Sequence, residues 1–214
     1  MSQDSPSTTL RTPNRWVILL GGLAVQLVLG GIYAWSTFSS ALQSDESFGL
    51  SPVAAAIPFQ AAIGTIFVGT FLGGRLQDRH GPRTVGVIGA ALYAVGIMIA
   101  SFARDASDLW LLVAGYGVIA GIGLGLAYIV PIAVLQKWFP DKRGLITGIA
   151  VGGFGFGAMI TSPIASQLIS SSADFTRYPT KTFLYLGIAY LIVGVVLVWQ
   201  LVVVPLGGDS WSFW

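Results

Sequence analysis

The sequence predicts an all-α membrane protein of six transmembrane helices, and three observations predict it. Hydrophobic residues make up 54% of the chain and charged residues only 9%, whereas a soluble domain carries about 25% charged residues. The apolar residues stand in six blocks, each of the roughly 20 residues that cross about 30 Å of hydrocarbon at 1.5 Å per residue. The short connections between the blocks hold nearly all the charge. Lipid offers no partner to an unpaired backbone group, so spanning segments must be helices or a closed barrel. The alternating runs of about 10 residues that would mark a barrel are missing.

Taken in order, residues 1–14 are polar and rich in Ser, Thr and Pro, and read as a disordered tail. The apolar run after Arg15 is too long for the core of a signal peptide and lacks a small-residue cleavage site, so it is expected to stay as the first span. The six spans are 16–41, 52–73, 84–103, 109–135, 145–169 and 182–204. They make one membrane domain over 15–205, followed by a short tail at 206–214. Orientation follows from the basic residues, which concentrate in cytoplasmic loops. Arg11, Arg15, Arg75, Arg79, Arg83, Lys137, Lys142 and Arg143 fall on one side, and Arg104, Arg177 and Lys181 on the other. Both termini are therefore expected in the cytoplasm, with the cell membrane as the bilayer concerned. Trp16, Trp110, Trp138 and Trp199 lie near span ends, where an interfacial aromatic belt places them.

The same composition narrows the function classes. With no cysteine there is no disulfide framework, thiolate metal site or cysteine nucleophile. His80, the one histidine, sits in a basic loop and reads as a surface residue, so no metal site is expected. No nucleophile–base pair or phosphate-binding loop is present, which points away from an enzyme and from a cofactor. The basic residues fit topology and give no support to nucleic-acid binding. No Asp, Glu, Lys, Arg or His stands inside any span, so the chain supplies no intramembrane proton relay or counter-charge by itself.

Small residues let membrane helices approach closely, and the fourth span carries Gly117, Gly121 and Gly125, the fifth Gly148, Gly152, Gly153 and Gly157. They read as tight packing, as a surface for sliding, or as both. Pro58 and Pro131 are expected to kink the second and fourth spans, since each removes a backbone hydrogen bond. Polar side chains gather in four spans: Gln26, Tyr33, Ser36, Thr37, Gln60, Thr65, Tyr128, Thr147, Thr161 and Ser162. The third and sixth are nearly pure aliphatic, with Tyr93 and Tyr190 among the exceptions. Either the polar groups line a cavity, or each one bonds a neighbouring helix. In the first and fourth spans glycines precede a tyrosine, Gly30-Gly31-Ile32-Tyr33 and Gly123-Leu124-Gly125-Leu126-Ala127-Tyr128. With straight antiparallel helices at 1.5 Å per residue, Tyr33 would sit about 8 Å to the outer side of the midplane and Tyr128 about 9 Å to the inner side.

Between the second and third spans lies Gly74-Arg75-Leu76-Gln77-Asp78-Arg79-His80-Gly81-Pro82-Arg83. Gly81 and Pro82 supply a chain reversal, and the arginines satisfy the positive-inside bias. Asp78 is the residue that a basic turn would not need. The stretch closely resembles the loop signature of the major facilitator superfamily, Gly-x-x-x-Asp-Arg-x-Gly followed by a basic residue, through Gly74, Asp78, Arg79, Gly81 and Arg83. The resemblance implies a 3+3 inverted repeat, half of a major facilitator fold. It also implies a gating role for Asp78, Arg79 and Arg83, in a charge network with a second six-helix half.

Three further segments are similar to the oxalate–formate antiporter family: Gly31-Ile32-Tyr33-Ala34-Trp35-Ser36, Pro58-Phe59-Gln60, and Trp138-Phe139-Pro140-Asp141-Lys142-Arg143-Gly144. This resemblance implies a small carboxylate substrate such as oxalate or formate. It implies that Tyr33, Gln60 and Tyr128, with Trp35 beside them, are substrate-binding. That family continues through six more helices, so the charge that neutralises a carboxylate is expected from a second six-helix half or another copy. The alternative expectation is a truncated, non-transporting membrane subunit or scaffold that buries its glycine faces against a partner.

Overall fold

Each apolar block folds as helix, and the polar residue just before a block often starts it. The structure, a computed structural model, describes residues 14–203; the expected tails lie outside these residues except at Asn14. Asn14 opens the first helix by accepting the Trp16 N–H on its side chain at 3.0 Å. That helix, α1, spans Arg15–Leu42. Ser51 caps the next by accepting the Ala54 N–H at 3.2 Å, with Pro52 at the first helical position where its missing N–H costs nothing.

From Pro52 the chain runs as helix to Ala100, broken only at Gly81 (φ 76°, ψ 160°). The two parts are α2 (52–80) and α3 (82–100). The expected loop at 74–83 is therefore corrected: residues 74–80 are the last turns of α2, and the reversal is confined to Gly81. Hydropathy marks where the hydrocarbon ends. Helix continues past that point because Arg75, Leu76, Gln77 and Arg79 all favour it.

Ala106–Trp138 forms α4, Arg143–Ser170 forms α5 and Lys181–Val203 forms α6. A short turn of helix, Ala173–Arg177, leads into α6. Pro58, Pro131 and Pro163 lie inside α2, α4 and α5 without ending them. Two helices depart from α geometry, and they are the pair that the tyrosine pattern related. In α1, Gly30–Ala34 tightens to a 3-10 helix. In α4, Val113–Ala120 widens to a π-helix.

Glycine governs how close the helices come. A Cβ on Gly30 of α1 would stand 1.9 Å from the Phe154 carbonyl oxygen of α5, a backbone contact that no side chain permits. Helices α2 and α3 meet α4 in the same way: a Cβ on Gly123 would lie 2.3 Å from the Tyr93 nitrogen. The core fills the length of the bundle as two clusters. One gathers Trp35, Phe38, Tyr93, Tyr116 and Phe183, the other Val85, Val130, Leu135, Phe139 and Ile146.

The charged residues lie at the two ends. At one end Arg15 pairs with Asp141 at 3.6 Å, and the Arg83 guanidinium lies 3.1 Å above the Trp199 ring. At the other, Lys181 pairs with Asp174, and Arg104 stands 5.7 Å from the Tyr178 ring. Ser107, through its hydroxyl and then its backbone N–H, holds the Asp105 carboxyl below its usual value.

Candidate functional site

The polar residues of the spans divide into two sets. The first bonds between or within helices. Thr65 donates to the Gly117 carbonyl of α4 at 2.7 Å, Thr161 shares a 2.8 Å hydrogen bond with Tyr190 of α6, and Gln136 donates to Thr147 at 2.9 Å. Gln26 is fully buried, and its Nε2 donates to the Tyr128 carbonyl at 3.4 Å. The second set, Tyr33, Ser36 and Gln60, lies on the surface of the bundle. Tyr33 is 40% exposed.

Tyr33 belongs to an aromatic group built from four helices. Its ring meets Phe154 of α5 edge-on at 5.1 Å and Phe59 of α2 at 6.2 Å. Tyr128 of α4 also meets Phe154 edge-on, at 4.9 Å. Edge-to-face contacts of this kind fix ring orientation as well as bury area. Tyr33 and Tyr128 thus both touch one phenyl ring, closer together than the roughly 17 Å in depth that straight helices predict. Side-chain direction contributes to this. Helical side chains lean toward their own N-terminus, and in antiparallel α1 and α4 both lean toward the midplane.

Gln60 follows Phe59 on α2 and is exposed on the bundle surface. Trp35 is placed elsewhere. It is 4% exposed, its Nε1–H donates to the Ala55 carbonyl at 2.9 Å, and its ring stacks on Phe183 and meets Tyr116 at a tilt, 4.5 Å between centroids. The structure therefore brings Tyr33 and Tyr128 together around Phe154, leaves Gln60 beside Phe59, and sets Trp35 in the core. Phe154 and Phe59 are the residues that sequence reasoning missed. A bulky ring between Gly153 and Gly155 was the available signal, because glycine neighbours leave an aromatic side chain as the contact surface.

The arrangement offers hydroxyl and amide donors on an aromatic wall and no charge. Beside it, α5 presents Gly144, Gly148, Gly152 and Gly155 with nothing within 4 Å of a Cβ at any of them, and α2 presents Gly64 in the same condition. The loop residues Asp78 and Arg79 are exposed at the end of α2. Arg83 is turned the other way, onto Trp199.

A family model described as the Major Facilitator Superfamily matches residues 11–210. Among curated proteins, the chain is 30% identical over 167 residues to the uncharacterized MFS-type transporter YhjX of Escherichia coli K12, covering 78% of this chain and 40% of that protein. It is 25% identical over 186 residues to the oxalate:formate antiporter of Oxalobacter formigenes, covering 86% and 43% respectively. Monocarboxylate transporter 13 of Rattus norvegicus is 29% identical over 161 residues, covering 72% and 37%. The chain thus spans about two fifths of the length of these relatives. The inward-open xylose transporter XylE of E. coli shares the fold, with a TM-score of 0.71 at 19% identity over 90% of this chain and 48% of that one. The six helices, the signature ending in Gly81 and Arg83, and the match across 11–210 assign this multi-pass membrane chain to the major facilitator superfamily of transporters.

Proposed function

We propose that the chain forms the N-terminal six-helix half of a secondary transporter for small carboxylates such as oxalate, formate or other monocarboxylates. The observation that carries this reading is the convergence of Tyr33 and Tyr128 on Phe154 from helices α1, α4 and α5, with the Tyr33 ring exposed. The Tyr33 and Tyr128 hydroxyls and the Gln60 amide are donors, and a carboxylate is an acceptor on both oxygens. Neutral donors do not offset the cost of desolvating an anion, so the counter-charge comes from a second six-helix half or another copy.

The open glycines of α5 and α2 support a partner helix seated against this face, since small residues permit close approach. Rocking of one half against the other would then expose the site to each side in turn. Asp78, Arg79 and Arg83 are assigned to the gate, and Trp35 to support of α1. Residues 15–205 are taken as one membrane domain between two cytoplasmic tails, in the cell membrane. A scaffold that buries the same glycines without transport is the alternative. Uptake distinguishes the two readings. Proteoliposomes containing the chain, alone and with a supplied second half, are expected to exchange labelled oxalate or formate in at least one case. Absence of exchange in both removes the transport reading.

A further inference from the structure

The 3-10 turn of α1 leaves its carbonyls with neighbours that an α-helix would not need. The Ile32 carbonyl accepts the Trp35 backbone N–H, three residues on, and also the Tyr116 hydroxyl at 2.7 Å. One turn earlier, the Leu29 carbonyl accepts the Tyr93 hydroxyl at 3.3 Å. Both tyrosines are buried, at 3% and 1% exposure. Tyr116 stands within the π-helix of α4, so the tightened part of α1 and the widened part of α4 are joined through one hydroxyl.

The turn is also met by a second pair, Thr161 and Tyr190, whose tyrosine ring stacks on Tyr93 at 5.6 Å. A Cβ on Gly31 would fall 2.1 Å from the Tyr190 hydroxyl and 2.9 Å from the Thr161 hydroxyl, so glycine is what lets that pair approach. A small pocket is bordered by Gly31, Tyr93, Tyr116, Thr161 and Tyr190. Close packing at Gly30 and Gly31 and the hydroxyl bonds of Tyr116 and Tyr93 thus act on the same turn.

The choice of geometry matters for the neighbouring residue. A 3-10 helix turns about 120° per residue and an α-helix about 100°. Across the five residues Gly30–Ala34, relaxation to α would rotate one part of α1 against the other by about 100°. Tyr33 lies inside that segment. We infer that Tyr116, assisted by Tyr93, is a positioning residue: by bonding the carbonyls of the 3-10 turn in α1 it aims Tyr33 at the open face, and it ties that aim to the π-helix of α4. Its consequence for substrate rests on the carboxylate reading above, while the clamp on α1 does not.

The test separates the two. In nanodiscs without substrate, backbone hydrogen exchange of the 33–38 segment is measured for the chain and for its Tyr116→Phe, Tyr93→Phe and Tyr185→Phe variants. Tyr116→Phe is expected to raise exchange in that segment about tenfold and Tyr93→Phe by less, its bond being longer. Tyr185→Phe, on the bundle surface, leaves it unchanged. Unchanged exchange in Tyr116→Phe overturns the inference, and so does a rise spread equally over all six helices, which marks general destabilisation. Labelled oxalate binding is measured in parallel, with a second six-helix half supplied. Tyr116→Phe is expected to weaken it about three- to tenfold in the otherwise unaltered chain and not at all in a Tyr33→Phe background. An equal loss in both backgrounds shows that Tyr116 does not act through Tyr33. If the unaltered chain binds no carboxylate either alone or with the second half supplied, the substrate reading falls and the exchange result alone decides the clamp.

Discussion

At Tyr33 and Trp35, two residues apart in α1, the same sequence motif has two destinations. About 200° of helical rotation separates them, and the structure turns one outward and sets the other in the core. Substitution should divide along that line. Trp35→Phe removes the donor to the Ala55 carbonyl and is expected to cost about 1–3 kcal/mol of stability, read as a lower unfolding midpoint in detergent, with oxalate affinity unchanged in the folded fraction. Tyr33→Phe should leave the midpoint alone and weaken oxalate about tenfold or more, the loss expected for a hydrogen bond to a charged group. Matching effects from the two would contradict the division. Glycines divide in the same way. Gly30→Ala drives a Cβ into the Phe154 carbonyl and should cost about 1–3 kcal/mol. Gly155→Ala meets nothing within 4 Å and should be neutral, or stabilising by up to about 1 kcal/mol through helix propensity. Thermal melts of the isolated chain decide this, and equal shifts would show that the α5 glycines are not open.

At the level of elements, helix number, order and charged ends were legible, because hydrophobic length and Lys/Arg placement are dictated by the bilayer itself. Helix ends were not. The hydrocarbon boundary near Gly73 carries no instruction to stop, and α2 runs on until Gly81, whose φ of 76° with ψ of 160° is open essentially to glycine alone. Gly81→Ala should therefore cost of order 1–3 kcal/mol although a Cβ there meets nothing within 4 Å. A cost confined to conformation, seen as an unfolding midpoint that falls while Arg83→Ala in the same background has its usual effect, separates strain from lost packing. The 3-10 and π segments were illegible for a different reason. Gly30-Gly31 and Gly115-Tyr116-Gly117 permit irregular turns, but which turn forms depends on carbonyl partners supplied by other helices. Of the candidate site, the tyrosines and Gln60 could be read from motif and position. Phe154 carried only its glycine neighbours as a signal, and these mark a contact surface without telling a helix partner from lipid.

For the whole molecule, the two ends of the bundle make one statement about orientation that does not depend on any substrate. Arg15, Arg83 and Asp141 are drawn together at the end where α2 passes into α3, while Asp45, Glu46, Asp105 and Asp174 lie at the other. Lys and Arg are retained on the cytoplasmic side, and carboxylates carry little weight in that choice. The first end is thus the cytoplasmic one in our proposal. The chain contains no cysteine, so a single introduced thiol reports its own side without background. Asp45→Cys, in the exposed α1–α2 connection, should react with a membrane-impermeant maleimide in right-side-out vesicles. His80→Cys, exposed at the last turn of α2, should react in inverted vesicles instead. The reverse pattern would turn the bundle over and move Asp78, Arg79 and Arg83 to the outer side. Equal labelling of both positions from one side would be more damaging, because Asp45 precedes α2 and His80 lies in its last turn, so only a failure of that helix to cross the bilayer could bring them to the same face.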